Sequence, residues 1–356
     1  MKDFFKQLQV VEIASVLAGP SVGMFFSELG AKVIKIENKS GNGDISRSWK
    51  LAEEDPEHPF SAYYSSVNYG KESRFLDLKK SHDQEKIKAL IKKADVLLVN
   101  FKKGDAEKFG LDFEKVKVLK PKIIYGEISG FGKQDRLAYD VVLQAESGFI
   151  SMNGTADGDL CKLPVALIDL FAAHQLKEGI LLAMLRQKDE QKALKVSVSL
   201  YDAAIASLAN QASNWLMAKQ IARPMGMLHP NIAPYGEMFA CKDGKFIVLA
   251  VGSDRQFFSL CQQLGLEQMS HSKKFNSNQN RLKNREAMQN MLQKEFLRYP
   301  SSELMKTFIQ NKIPAGLLRN IKEVFETESA QNLILKEKKE NRNLTTVKGN
   351  VFTISH

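Results

Sequence analysis

Through the first third of the chain, apolar residues gather in short, nearly unbroken runs of strand length. LQVVEIA, AKVIKIE, DVLLVNF and KIIYGEI read as buried strands, and ESRFLDLK reads as a further, more polar one. Between the runs lie segments with helical spacing: PSVGMFFSELG, starting at Pro20 and stopped by Gly30, and DQEKIKALIKKA. Strands separated by helix-length segments predict right-handed βαβ units and a mainly parallel, doubly wound sheet. Near residue 200 the texture changes. VSVSLYDAAIASLANQASNWLMAKQ predicts a strand running into one long helix, and FACKDGKFIVLAVGS predicts a hairpin turning at Lys-Asp-Gly. Short helical segments follow, and LTTVKGNVFTISH reads as a closing strand. The expected fold class is α/β. A large Rossmann-like domain spans 1–200, a linker helix 201–224 and a small α+β domain 225–325. Residues 326–356 form a linker and a return to the large domain.

A length of 356 residues agrees with two domains. The net charge of +10 raises the question of nucleic acid. Yet the lysines are scattered, no basic stripe interleaves with aromatics, and runs such as KEKKENRN read as solvated faces. No nucleic-acid partner is expected, and a small polyanionic ligand accounts for the excess equally well. The longest apolar runs, such as GILLAML, are too short to span a bilayer, so no membrane association is expected. Cys161, Cys241 and Cys261 form no CxxC pair, and the start of the chain lacks a leader pattern; both point to a reducing cytoplasm.

Most catalytic signatures are missing. The first βαβ unit carries Glu37 at the end of its second strand, but the preceding loop lacks GxGxxG and contains Pro20. GxxxxGK[ST], HExxH and GxSxG do not occur. His58, His82, His174, His229, His271 and His356 are isolated, so no metal is expected, and His174 reads as a core or interface histidine. Asp169 is the residue that stands out, because the strand-like run PVALI hands over to a long apolar helix there. Two readings are open: a helix cap, or a carboxylate held ionised by helix-start amides at a sheet edge.

Further stretches recur together: LAGPSVGMFFSELGAKVIKIE, GNGDISR, VNFKKGDAEKFGLD, YGEISGFG, YDVVLQAESGFISMNG, PVALIDL and HPNIAPYGEMFACKDGKFIVLAVGSDRQFFSLC. In this order, and over most of the chain, they resemble the family III CoA-transferases, the CaiB/BaiF family that includes formyl-CoA and carnitine CoA-transferases. The resemblance implies an enzyme that moves CoA from an acyl-CoA donor to a carboxylic acid. Its nucleophile would be Asp169, passing through a mixed anhydride and an aspartyl-CoA thioester. It also implies an interlocked homodimer, and a C-terminal return segment shortened by the stop at His356.

For coenzyme A the resemblance points to the loop Ser15, Val16, Leu17 and Ala18, and to Asn38 at the end of the second strand. It further points to Lys71, Ser73 and Phe75, to Asn100 and Phe101, to Lys108, and to Leu137 and Tyr139. Asp140, Gly226 and His229 are expected near the substrate. Leu17 replaces a glutamine of formyl-CoA transferases, which argues against oxalate or formate. The alternative within the family is an acyl-CoA racemase, which uses a His where this chain has Tyr139; tyrosine as a residue type is a poor match to a base working near neutrality. A remoter alternative is a non-catalytic CoA-binding or nucleic-acid-associated protein.

Overall fold

Strands buried on both faces of a sheet are selected for near-continuous apolar runs, and the centre of this molecule follows that rule. The computed structural model describes residues 3–355. β1 (Gln9–Ile13), β2 (Lys32–Asn38), β3 (Lys71–Leu76), β4 (Val96–Val99), β5 (Ile124–Ser129) and β6 (Leu194–Ser199) form one parallel sheet in the order β3-β2-β1-β4-β5-β6. The central strands β1 and β4 are buried almost throughout, whereas the edges β3 and β6 alternate exposed and covered positions. Alternate side chains feed two cores. Val10, Val33, Val96 and Ile124 meet Phe26 of the helix Ala18–Glu28 and Leu176 and Ile180 of the helix Leu167–Glu190. Val11, Ile34, Leu97 and Tyr125 meet Ile87 and Ile91 of the helix Ser81–Ile91.

The chain divides into two compact units, one of residues 1–149, 162–221 and 331–356, the other of 150–161 and 222–330. The second holds an antiparallel sheet of β7 (Tyr235–Ala240), β8 (Phe246–Ala250) and β9 (Ala315–Leu317). Its core is aromatic, with Phe239 stacked on Phe296 at 4.6 Å.

Several expectations are corrected. Residues 150–161 do not belong with the large domain. Gly154 bridges Leu160 within the segment, and its carbonyl accepts the Gly226 N–H at 3.0 Å, which ties it to the second unit. Residues 201–224 are not one linker helix: helices Leu200–Ala206 and Ala209–Ala218 are separate, and Ala209 adopts a φ of 47° at the break. PVALI forms no strand. The run KEKKENRN is not simply a solvated face. β10 (Ile334–Lys339) and β11 (Arg342–Val347) pair as a hairpin whose tip, Glu340 and Asn341, takes the two left-handed conformations of a type I′ turn. Residues 348–355 continue as irregular chain. His174 is exposed, not part of a core, and His356 lies outside the described residues.

Candidate active site

The strand order reverses between β1 and β4, and connections leaving their carboxyl ends diverge to opposite faces, which opens a crevice. Asn100, just past β4, ties the two exits together. Its Oδ1 accepts the Ser15 N–H at 3.1 Å and its Nδ2 donates to the Ser15 carbonyl at 2.9 Å. The amide expected to hold a ligand is thus occupied by the backbone of the neighbouring loop.

A cleft of about 1020 Å³ opens beside this junction. It gathers Ser15, Val16, Leu17 and Ala18 with Asn100 and Phe101, and brings Leu137, Tyr139 and Asp140 to the same space as Asp169. Seven other expected residues do not line it. Lys71 is buried and donates to Glu12 at 2.8 Å, to the Pro20 carbonyl and to Asn68. Burial holds its amine down to about 7, against the pull of the Glu12 carboxylate. Ser73 pairs with the Tyr64 hydroxyl at 3.1 Å, and Phe75 lies under the Arg47 guanidinium at 5.1 Å. Asn38 accepts from its own turn at Ser40. Lys108 lies exposed against Phe109. The resemblance pointed to these residues; in this structure the β3 side chains of Lys71, Ser73 and Phe75 face a buried ion cluster and the Arg47–Tyr64 pair. Gly226 and His229 belong to the second unit. There the His229 ring packs edge-on to Tyr235 at 5.0 Å, and its carbonyl accepts from Arg285 at 2.6 Å.

Asp169 sits in the first turn of the helix Leu167–Glu190 but does not cap it. The cap position is Ala166, which has no side-chain acceptor, and Asp140 does the capping from a different segment: its Oδ2 accepts the Ile168 N–H at 2.8 Å. Gln144 donates to the other oxygen of Asp140 and accepts the Leu163 N–H at 2.8 Å, so the approach to the helix is pinned as well. Asp169 is 7% exposed. Burial first, and the Asp140 carboxylate second, push its carboxyl up to about 7. The sequence suggested a carboxylate kept ionised by helix-start amides. The structure reverses that, because desolvation and a like charge outweigh the helix terminus.

Two aromatic residues of the cleft escaped sequence reasoning. Tyr63 lines it together with Trp49, the rings meeting edge to face at 5.1 Å. Burial raises the Tyr63 phenol to about 12, with added contributions from Asp169, Asp140 and Asp44, so it is a neutral hydrogen-bond donor throughout the working range. Their only sequence signal is a place shortly after GNGDISR, which does not separate a cleft aromatic from a core one. Cations also line the cleft, among them Lys103, Lys133, Arg136 and Lys162. Among the described residues, no group of three or more His, Cys, Asp or Glu could hold a metal ion, and no helix is long and apolar enough to cross a membrane.

The profile of CoA-transferase family III matches residues 5–355. The succinate–glutarate CoA-transferase of Agrobacterium fabrum is 35% identical over 331 residues, 91% of this chain and 82% of that protein. The human succinyl-CoA:glutarate CoA-transferase is 31% identical over 326 residues, 89% of this chain and 72% of that one. Among solved structures, a CaiB/BaiF family protein from Brucella suis superposes with a TM-score of 0.83 at 30% identity, covering 98% of this chain and 92% of its own. Profile, relatives and fold agree over nearly the whole length: the chain belongs to CoA-transferase family III and is an enzyme of that class, acting on CoA thioesters and carboxylic acids.

Proposed function

We propose that the protein transfers CoA between two carboxylic acids through covalent intermediates on Asp169. The observation that carries the reading is a buried carboxylate, its carboxyl held near 7, lining the cleft at the switch point of the sheet. In the ionised form, Asp169 attacks the thioester carbonyl; the C–S bond breaks and CoA leaves as thiolate, giving a mixed anhydride. The thiolate attacks the aspartyl carbonyl and expels the donor carboxylate, leaving an aspartyl-CoA thioester. The acceptor carboxylate attacks that thioester and releases thiolate, forming a second anhydride. Attack of the thiolate on the acceptor's carbonyl then yields the new acyl-CoA and regenerates Asp169. Covalent catalysis divides one difficult exchange into steps of similar energy. The neutral Tyr63 phenol is suited to donate to an oxyanion in these steps.

Short dicarboxylic acids are the substrate class we favour. The names of the relatives from Agrobacterium and human support it. Ser15, Val16, Ala18, Phe101, Leu137 and Tyr139 would contact CoA, with Asp140 setting the charge state of Asp169. The racemase reading is not favoured, since the named relatives are transferases. A homodimer is part of the proposal: Trp215, Leu216, Met217 and Ile221 present large apolar side chains to solvent in the first unit, a surface suited to a second copy.

Intact-protein mass spectrometry with succinyl-CoA, and with hydroxylamine as a trap, tests the mechanism. A CoA-sized adduct, or a hydroxamate on the peptide holding Asp169, is expected. CoA binding without either product refutes it.

A further inference from the structure

The GNGDISR stretch takes no part in the chemistry above, yet its Asp44 grips the cleft wall. Val16 has a φ of 71°. For a β-branched residue, this conformation is disfavoured on the order of tenfold to a hundredfold, and it persists only where the surroundings over-determine it. Here they do so residue by residue. The Ala14 carbonyl accepts from Lys35 Nζ at 2.7 Å. The Ser15 peptide is held on both sides by Asn100. The Val16 N–H is shared between the two oxygens of Asp44, each at 3.2 Å.

Asp44 cannot easily drift. It is buried, and Lys35 Nζ lies 3.0 Å from its Oδ2. The Ser46 N–H and hydroxyl donate to its Oδ1 at 3.0 and 2.8 Å, and its own N–H donates to Glu37 at 2.9 Å. Lys35 is wholly buried and also bonds Glu12 at 2.9 Å. One buried ion cluster therefore holds both ends of the turn that lines the cleft.

We propose that Asp44 is a positioning residue: it keeps Val16 in the left-handed conformation and so holds the Ser15–Ala18 wall in the form that receives acyl-CoA. The ligand in this statement rests on the transferase reading; the grip on Val16 does not. If the receptive wall is populated only in part, apparent affinity falls by that fraction, while the bound complex is unchanged. Loss of Asp44 therefore appears in KM and leaves kcat in place. A purely structural role would instead lower the folded fraction, and with it kcat, at constant KM.

The test is a double-mutant cycle with Val16→Gly, because glycine adopts positive φ without being held. With succinyl-CoA and glutarate, Asp44→Asn is expected to raise KM about tenfold to a hundredfold with kcat within about threefold. In the Val16→Gly background, whatever that change does by itself, the same substitution is expected to cost less than about threefold. An equal KM penalty in both backgrounds, or a loss confined to kcat, overturns the proposal. Amide hydrogen exchange at Val16 needs no substrate and separates the two readings. If the wild type exchanges no CoA, the transferase reading fails. Asp44 then stands if Asp44→Asn speeds exchange at Val16 by about tenfold or more, and falls if the rate is unchanged.

Discussion

Asp140 Oδ2 accepts the Ile168 amide hydrogen at 2.8 Å, so the helix that carries Asp169 in its first turn is capped by a carboxylate from another segment. The same group that satisfies the helix end also places a negative charge beside Asp169, and that charge adds to burial in raising its carboxyl. Capping and pKa tuning are therefore coupled through one side chain.

Asp140→Asn separates the two. The amide oxygen still accepts from Ile168, but the charge is gone, so the Asp169 carboxyl falls below about 7. The acidic limb of the pH–rate profile is expected to move to lower pH, with a stability loss of about 1 kcal/mol because an amide nitrogen replaces the oxygen that accepts from Gln144. Asp140→Ala loses the cap as well, at a cost of about 1 kcal/mol in urea unfolding. An acidic limb that stays in place in Asp140→Asn removes Asp140 from the account of Asp169.

Asp169→Asn is expected to abolish CoA exchange and to stabilise the fold at alkaline pH. The folded carboxyl titrates at about 7, above its ordinary value of 3.8, so the folded state binds that proton more tightly than the unfolded chain. Stability from this group is complete below about 3.8 and is lost as pH rises through about 7. The amide does not ionise, so at pH 8 it gains on the order of a few kcal/mol over the wild type, and near pH 4 almost nothing. Thermal unfolding at the two pH values checks this; an equal gain at both denies that burial of charge is the cause.

Arg47 binds Glu37 with Nε and Nη2 at 2.6 and 2.7 Å, and reaches Glu340 at the hairpin tip at 2.9 Å. Arg47→Met strands Glu37 in the core and is expected to cost about 3–5 kcal/mol. Glu340 is a third exposed, and Glu340→Gln is expected to cost about 1 kcal/mol or less. Arg47 holds the Glu37 carboxyl down to about 2 against burial. Its stabilisation is present above 4.5 and disappears as pH falls toward about 2, a loss Arg47→Met should no longer show. Urea titrations at neutral and acid pH distinguish these cases, and equal costs for the two variants would refute the ranking.

Gly23 faces Glu12 so closely that a Cβ would lie 1.8 Å from its Oε2. Glu12 is locked between Lys35 and Lys71 and cannot swing aside. Gly23→Ala is therefore expected to lose at least about 2 kcal/mol. Gly316, in β9, has nothing within 4 Å of its Cβ position, and Gly316→Ala is expected to be neutral or slightly stabilising. Chemical denaturation of the pair decides the matter; equal effects would place the strain elsewhere.

The apolar runs were enough to locate the parallel strands β1, β2, β4 and β5, because a strand covered on both faces has almost no freedom in composition. The hairpin of β7 and β8 was legible from Lys-Asp-Gly, where Gly244 takes a φ of 75°. β10 was missed because its Lys and Glu residues look solvated until Lys339 is seen donating to the Lys71 carbonyl at 2.6 Å, far away in sequence. The break at Ser207–Leu208 was missed because small residues suit a helix either way.

Local sequence and ordered motifs, then, determined the fold class, the family resemblance and the choice of Asp169, since each depends on residue type at short spacing. Only the tertiary structure decided that Asp169 is buried beside Asp140, that Lys71 points into an ion cluster, and that Val16 is held by Asp44. Burial, charge proximity and backbone strain arise between segments remote in sequence, and no local pattern encodes which of them will meet.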